Sequence, residues 1–272
     1  MPQNAAMCDH PEMAALLVDL LFPLTKNDDD NSSTTRGCIA TYDELSQHIY
    51  VRNTRALILC PCAHIVFPSP IFLDFAHFHL SCGGLRCILD GNFQQPIFQS
   101  QGFHEIVVSN IVFQNGYTTG AAGGAVDLVD GSSTFVNCVF DRNLVDAGPG
   151  VTAYGGALAA RFDEVVHIED CRFTRNMVDA DTTAYGGALA CVDCHATMVH
   201  TQFLDNTVEI VQPQPAIRTQ HVSSNLAGLV QCENVLMDAA TDVVLPEGAT
   251  EHCGRLMTPV DLFAATGTEP PT

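Results

Sequence analysis

Four aspartates recur close to the first turn of a repeated phrase and are the first candidates for chemistry. Asp130 and Asp193 stand at the same distance after Gly-Gly-Ala, Asp163 falls one residue later, and Asp127 lies just upstream of Asp130. Arg161 and His167 are close in sequence. Carboxylates brought together in this way are ligands for calcium, the one candidate cofactor. With a cationic neighbour they could also assist proton abstraction next to a uronate carboxyl. Without such a site they are solvated turn residues or the floor of a carbohydrate-binding groove. In that groove Tyr117, Tyr154 and Tyr185 are the available aromatics, because tryptophan is absent.

A second set is rich in sulfur and imidazole. Cys60, Cys62, His64, His77, His79, Cys82 and Cys87 are all suitable zinc ligands. Their spacing is not that of a zinc site, since no Cys-x-x-Cys pair stands opposite another. Disulfides, free core thiols and zinc remain as alternatives, and no metal ligand is assigned. Cys191-Val192-Asp193-Cys194 is a Cys-x-x-Cys without the helix N-terminus that a redox motif needs, so a local disulfide or coil-to-coil staple fits better. Cys138 and Cys171 occupy equivalent places and suit either a strained disulfide or buried thiols.

These residues sit on a repeat. Gly123-Gly124-Ala125-Val126 returns as Gly155-Gly156-Ala157-Leu158 and as Gly186-Gly187-Ala188-Leu189. Phe140, Phe173 and Phe203 are each followed three residues later by Asn143, Asn176 and Asn206. A period of about thirty residues belongs to solenoids and arrays. Each repeat reads as strand, turn, strand, loop: Val126 and Leu128 alternate with Asp127, Asp130-Gly131 breaks the strand, and residues 133–140 form a second one. Residues 144–154, with Gly148-Pro149-Gly150, read as a loop. Stacked coils would place the three phenylalanines in an inward column and the three asparagines in a ladder at a turn. The fold class is therefore all-β, a parallel β-helix.

The Gly-Gly-Ala-(Val/Leu) and Phe-x-x-Asn phrases resemble the right-handed parallel β-helix of the pectin-lyase-like superfamily, in the repeat style of polymorphic outer-membrane proteins. The resemblance spans about residues 40 to 240. Cys60-Pro61-Cys62 and the later Cys82 and Cys87 resemble the first coils of extracellular members, where cysteines staple the N-terminal coils. The fold implied hosts lyases, hydrolases, epimerases and adhesins alike. Polygalacturonase-like hydrolases carry Asn-Thr-Asp, Asp-Asp, Gly-His-Gly and Arg-x-Lys, and none of these occurs in the β-helical part.

Composition narrows the function classes. There are 31 acidic residues against 11 Lys plus Arg, a formal charge of −20. That disfavours nucleic acid and anionic membranes, which need basic patches. Twelve cysteines suit an oxidising, extracellular or cell-surface location. No clear signal peptide opens the chain, and no apolar run reaches membrane-span length. Residues 1–40 read as a capping helix (residues 10–22) and a polar linker, 41–240 as the β-helix, and 241–272 as a C-terminal cap and loose tail. The expected protein is a monomeric secreted or surface module, non-enzymatic, for adhesion or contact with glycans or cell-surface proteins. The alternative is a carbohydrate-active lyase or epimerase, calcium-assisted in one version.

Overall fold

The computed structural model describes residues 38–73, 77–84, 86–102, 105–162, 164–181, 183–192, 194–210, 230–233 and 236–237. The expected helix over residues 10–22 and the C-terminal cover over 241–272 lie outside them.

Strands of successive repeats pair in parallel and stack into a β-solenoid. Among the described residues three sheets wrap the main core. Sheet A runs through seven strands from Ala56–Leu59 to Val230–Glu233, and sheet B through seven from His64–Val66 to Leu236–Met237. Sheet C has five, from Ile71–Phe72 to Leu189–Val192. Alternation sets what each strand buries. Leu128, Phe135 and Phe140 are fully buried, while Asp127, Thr134 and Val139 point away from the core.

A short helix, Tyr42–Ser46, is continued by a π-helical turn, Gln47–Val51. Thr41 and Glu44 form a reciprocal capping box at its start. Its Leu45 and Ile49 are fully buried in the main core, so among the described residues this helix covers the first coil.

Two expectations are corrected. Residues 133–140 are not one strand but two, Ser132–Val136 and Val139–Asp141, split at Asn137, whose φ is +52°. Phe135 and Phe140 are both inward, yet they are five residues apart, which strict alternation cannot satisfy without a corner. Residues 144–154 are not a plain loop. Leu144–Ala147 and Thr152–Tyr154 are strands that repeat as Met177–Ala180 and Thr183–Tyr185, forming sheets D and E. Residues 148–151, with Gly148-Pro149-Gly150, form the irregular tip between them. Val145, Ala147, Ala153, Val178, Ala180, Ala184 and Val208 make a second apolar cluster of their own. Each middle coil is thus a core ring plus an arch.

The Gly-Gly pairs close that arch. Gly123, Gly155 and Gly186 have φ between +58° and +67°, a region that favours glycine. At the second glycine there is no room for a side chain. A Cβ on Gly124 would lie 2.7 Å from the Leu144 backbone nitrogen, and one on Gly156 2.6 Å from the Met177 carbonyl oxygen. The returning strand touches the outgoing one at the neck, which is why the phrase recurs.

Candidate functional site

The repeated Phe and Asn are the frame on which any site is carried. Phe113, Phe140, Phe173 and Phe203 stack face to face at 4.8, 4.6 and 4.8 Å, within 9° of parallel. Asn143, Asn176 and Asn206 are buried at the corner that leads into the arch. The Oδ1 of Asn176 accepts from the backbone N–H of Asn143 at 3.0 Å and from its Nδ2 at 2.9 Å. Its own Nδ2 donates to the Phe140 carbonyl at 3.0 Å and to Asn206 Oδ1 at 2.8 Å. The same bonds recur between Asn176 and Asn206. Where Gly116 takes the place of the asparagine, its N–H donates to Asn143 Oδ1 at 2.8 Å.

Of the four candidate aspartates, the structure describes two; Asp163 and Asp193 lie outside the described residues. Asp127 faces away from the core on sheet C, in register with Gln99 and Ala159. Its carboxylate receives Arg161 Nη2 at 2.8 and 2.9 Å. Burial pushes the Asp127 carboxyl up, and Arg161 draws it back only in part. Ala159 and Ala190, outward in the same column, are fully buried, so this stretch of sheet C is covered rather than open. Asp130 stands apart, at the corner between sheets C and A, with φ +65°.

The arch carries an acidic row outside that set. Asp146, Asp179 and Glu209 are in register on sheet D. Burial, with the charges of Asp146, Glu209 and Asp181, pushes the Asp179 carboxyl up. Tyr117 donates to Asp146 at 2.9 Å, and that hydrogen bond raises the Tyr117 phenol. The signal was present in the repeated Val-Asp-Ala of Val145-Asp146-Ala147 and Val178-Asp179-Ala180. Sheet E places Tyr154 and Tyr185 in register, their half-exposed rings stacked 5.5 Å apart at 19°.

The cysteine and histidine set resolves into separate partners. Cys38 is bonded to Cys60, Cys82 to Cys87 and Cys191 to Cys194, and Cys62 is disulfide-bonded as well. Cys38 was not among the residues singled out from sequence. Cys138 and Cys171 are buried free thiols. They donate to Val136 O at 3.4 Å and Glu169 O at 3.2 Å, the role that Thr201 plays toward Val199 O at 3.0 Å. Burial pushes the Cys138 thiol well up. His77 meets Glu105 at 2.6 Å, and His64 meets Asp90 at 3.0 Å. Burial pushes Asp90 up, but hydrogen bonds from Gln114, the Asn92 N–H, Asn115 and His64 outweigh it and hold its carboxyl below the usual range. Among the described residues no group of three His, Cys, Asp or Glu is placed to hold a metal ion. No helix among them is long and apolar enough to cross a membrane.

Comparison of the chain with protein-family models, with curated proteins and with solved structures returned no match.

Proposed function

We propose that this chain is a non-enzymatic contact module, secreted or surface-exposed, of pectin-lyase-like architecture, which binds a glycan or a cell-surface protein through its arches. The observation that carries this reading is the in-register display on the arches: Tyr154 over Tyr185 on one sheet, and Asp146, Asp179 and Glu209 on the other. Repeated groups at one coil spacing, about 4.8 Å, suit a ligand that is itself extended or repetitive. Tyrosine brings a large contact area at low conformational cost. Disulfides in the first coils and in a later one fit an oxidising compartment.

One observation favours the carbohydrate-active alternative. Asp127 is a carboxylate with a raised pKa beside a guanidinium, a combination found at catalytic acids and bases. Against it, the Asp127 carboxylate is already held by Arg161.

The deciding experiment is calorimetric titration with neutral and uronate oligosaccharides, with and without calcium, alongside product analysis. Saturable binding without turnover, lost in Tyr154→Ala/Tyr185→Ala and kept in Asp127→Asn, is the expected result. Cleaved or epimerised product that vanishes in Asp127→Asn would replace this reading with the enzymatic one. Binding that ignores the tyrosines would remove the arches from it.

A further inference from the structure

Three outward positions of the first coil are apolar where the next coil is polar, while the outward His64 runs the other way, into Ile88. On sheet A, Ile58 is followed in its column by Ser81 and Ser109. On sheet B, Val66 is followed by Asp90 and Gln114. On sheet C, Phe72 is followed by Gln99 and Asp127. All three first-coil residues point away from the core, with exposures of 36, 49 and 55%. Tyr50 and Val51, at the end of the π-helical turn, add 53 and 76%, and the Tyr50 hydroxyl accepts from the Phe72 N–H at 2.8 Å. A depression of about 360 Å³ lies beside Val66, lined also by Thr41, Tyr42, Pro68, Asn92 and Gln94. Scattered apolar residues on a surface need no explanation, but Ile58, Val66 and Phe72 on one coil, with Tyr50 and Val51 beside them, make a larger apolar collar.

Cys62 says what covers it. It sits in the turn between the strand carrying Ile58 and the strand carrying Val66, and it is disulfide-bonded. The other disulfide-bonded cysteines among the described side chains pair with one another, and Cys138 and Cys171 are free. That leaves Cys8, Cys232 and Cys253. Cys232 is on the last strand of sheet A, six strand spacings or about 29 Å from the first, whereas a disulfide spans roughly 4.4–6.8 Å between Cα atoms. Cys253 follows that last coil, so it would have to return the same distance. Cys8 precedes Cys38, which is itself tied to Cys60, two residues from Cys62. Between Cys8 and Cys38 runs Leu16-Leu17-Val18-Asp19-Leu20-Leu21-Phe22, whose leucines recur at helical spacing on one side.

We propose that the apolar collar of the first coil is the docking site for this chain's own residues 11–24, tethered there by a disulfide from Cys8 to Cys62. The test uses the full chain. Peptide mapping by mass spectrometry without reduction is expected to recover the Cys8 peptide joined to the Cys62 peptide from the monomer. A Cys62–Cys253 link, or a Cys62 link between two chains, would overturn the proposal.

A second variant probes docking separately from the disulfide. Each leucine removed from a buried face shifts the docked-to-free ratio by roughly tenfold. Leu17→Glu/Leu20→Glu should therefore speed cleavage within residues 1–37 by a low-specificity protease at least tenfold, about the effect of one such leucine. The solenoid itself should stay intact. Equal cleavage of wild type and variant would sink the docking claim. So would a dimer that Phe72→Ser dissociates while cleavage of residues 1–37 is unchanged, because a second copy would then own the collar.

Discussion

Replacing Asn176 with alanine tests whether the asparagine ladder holds the arches to the core. The side chain is fully buried and makes four hydrogen bonds, two through Oδ1 and two through Nδ2. Asn143 Nδ2 keeps a second acceptor in the Phe113 carbonyl at 3.1 Å, and Asn206 Oδ1 keeps the Asn176 N–H. The Asn143 N–H and the Phe140 carbonyl lose their side-chain partner. Each buried group left unsatisfied costs about 1–3 kcal/mol, so the substitution should cost roughly 2–6 kcal/mol. A solenoid coil contacts only its neighbours, so the loss is local before it is global. Hydrogen exchange should therefore rise first in peptides spanning residues 138–148 and 171–181, and urea unfolding should begin earlier. Asn176→Asp keeps the shape and the acceptor but loses the donor and buries a charge, so it should be no milder than alanine at pH 7. An alanine variant that costs under about 1 kcal/mol, or that exchanges faster everywhere alike, would refute the ladder as the local lock.

Further outcomes follow from the neck, the Asp127–Arg161 pair and the acidic row. Gly156→Ala must drive a Cβ into the Met177 backbone and should destabilise by about 2 kcal/mol or more in urea melts. Gly148→Ala meets nothing within 4 Å and should stay within about 0.5 kcal/mol of wild type. Arg161→Met leaves the part-buried Asp127 carboxylate without its partner, at a cost of roughly 1–3 kcal/mol at pH 7 that Asp127→Asn on the same chain should largely restore in thermal melts. The pH dependence has two opposed parts. Asp90 is depressed in the fold, so its contribution is present above the ordinary aspartate range and lost as pH falls through the lower folded value. Asp179 is raised, so the folded state binds more protons between the ordinary and the raised value, and stability falls as pH rises through that window. Asp179→Asn should then gain a few tenths of a kcal/mol at pH 7 after solvent screening, and melts from pH 3 to 7 should lose that falling component. A variant that melts below wild type at pH 7 would contradict burial, with like charge beside it, as the origin of the shift.

The repeat was legible in the chain because each coil must place the same side chain in the same column. Phe140, Phe173 and Phe203 have to stack, so their spacing announces the coil, and Asn143, Asn176 and Asn206 follow for the same reason. Parallel β-architecture, one coil per repeat and an inward aromatic column are local and periodic properties, and periodicity survives in one dimension. The corner at Asn137 and the arch of residues 144–154 did not survive as clearly. Both depend on where a strand turns rather than on what it is made of: Val, Thr and Phe run straight across the corner, and Gly148-Pro149-Gly150 hides two short strands around it. The odd five-residue step from Phe135 to Phe140 was the one local trace of the turn.

Partners across coils were a matter for the tertiary structure alone. Asp127 is joined to Arg161 at a separation of 34 residues, and Cys38 to Cys60 at 22. Nothing within either segment encodes its partner, because the pairing is set by the register of stacked coils. The aspartates grouped by sequence distance therefore part company in space, Asp127 outward on a sheet and Asp130 at a corner. Asp146 and Asp179, which share the short repeat Val-Asp-Ala, are brought into one row with Glu209, which does not. Sequence by itself determined which residues repeat, since burial must be satisfied coil by coil. The tertiary structure decided which of the remaining polar groups meet, since that depends on register and on where the chain leaves the core.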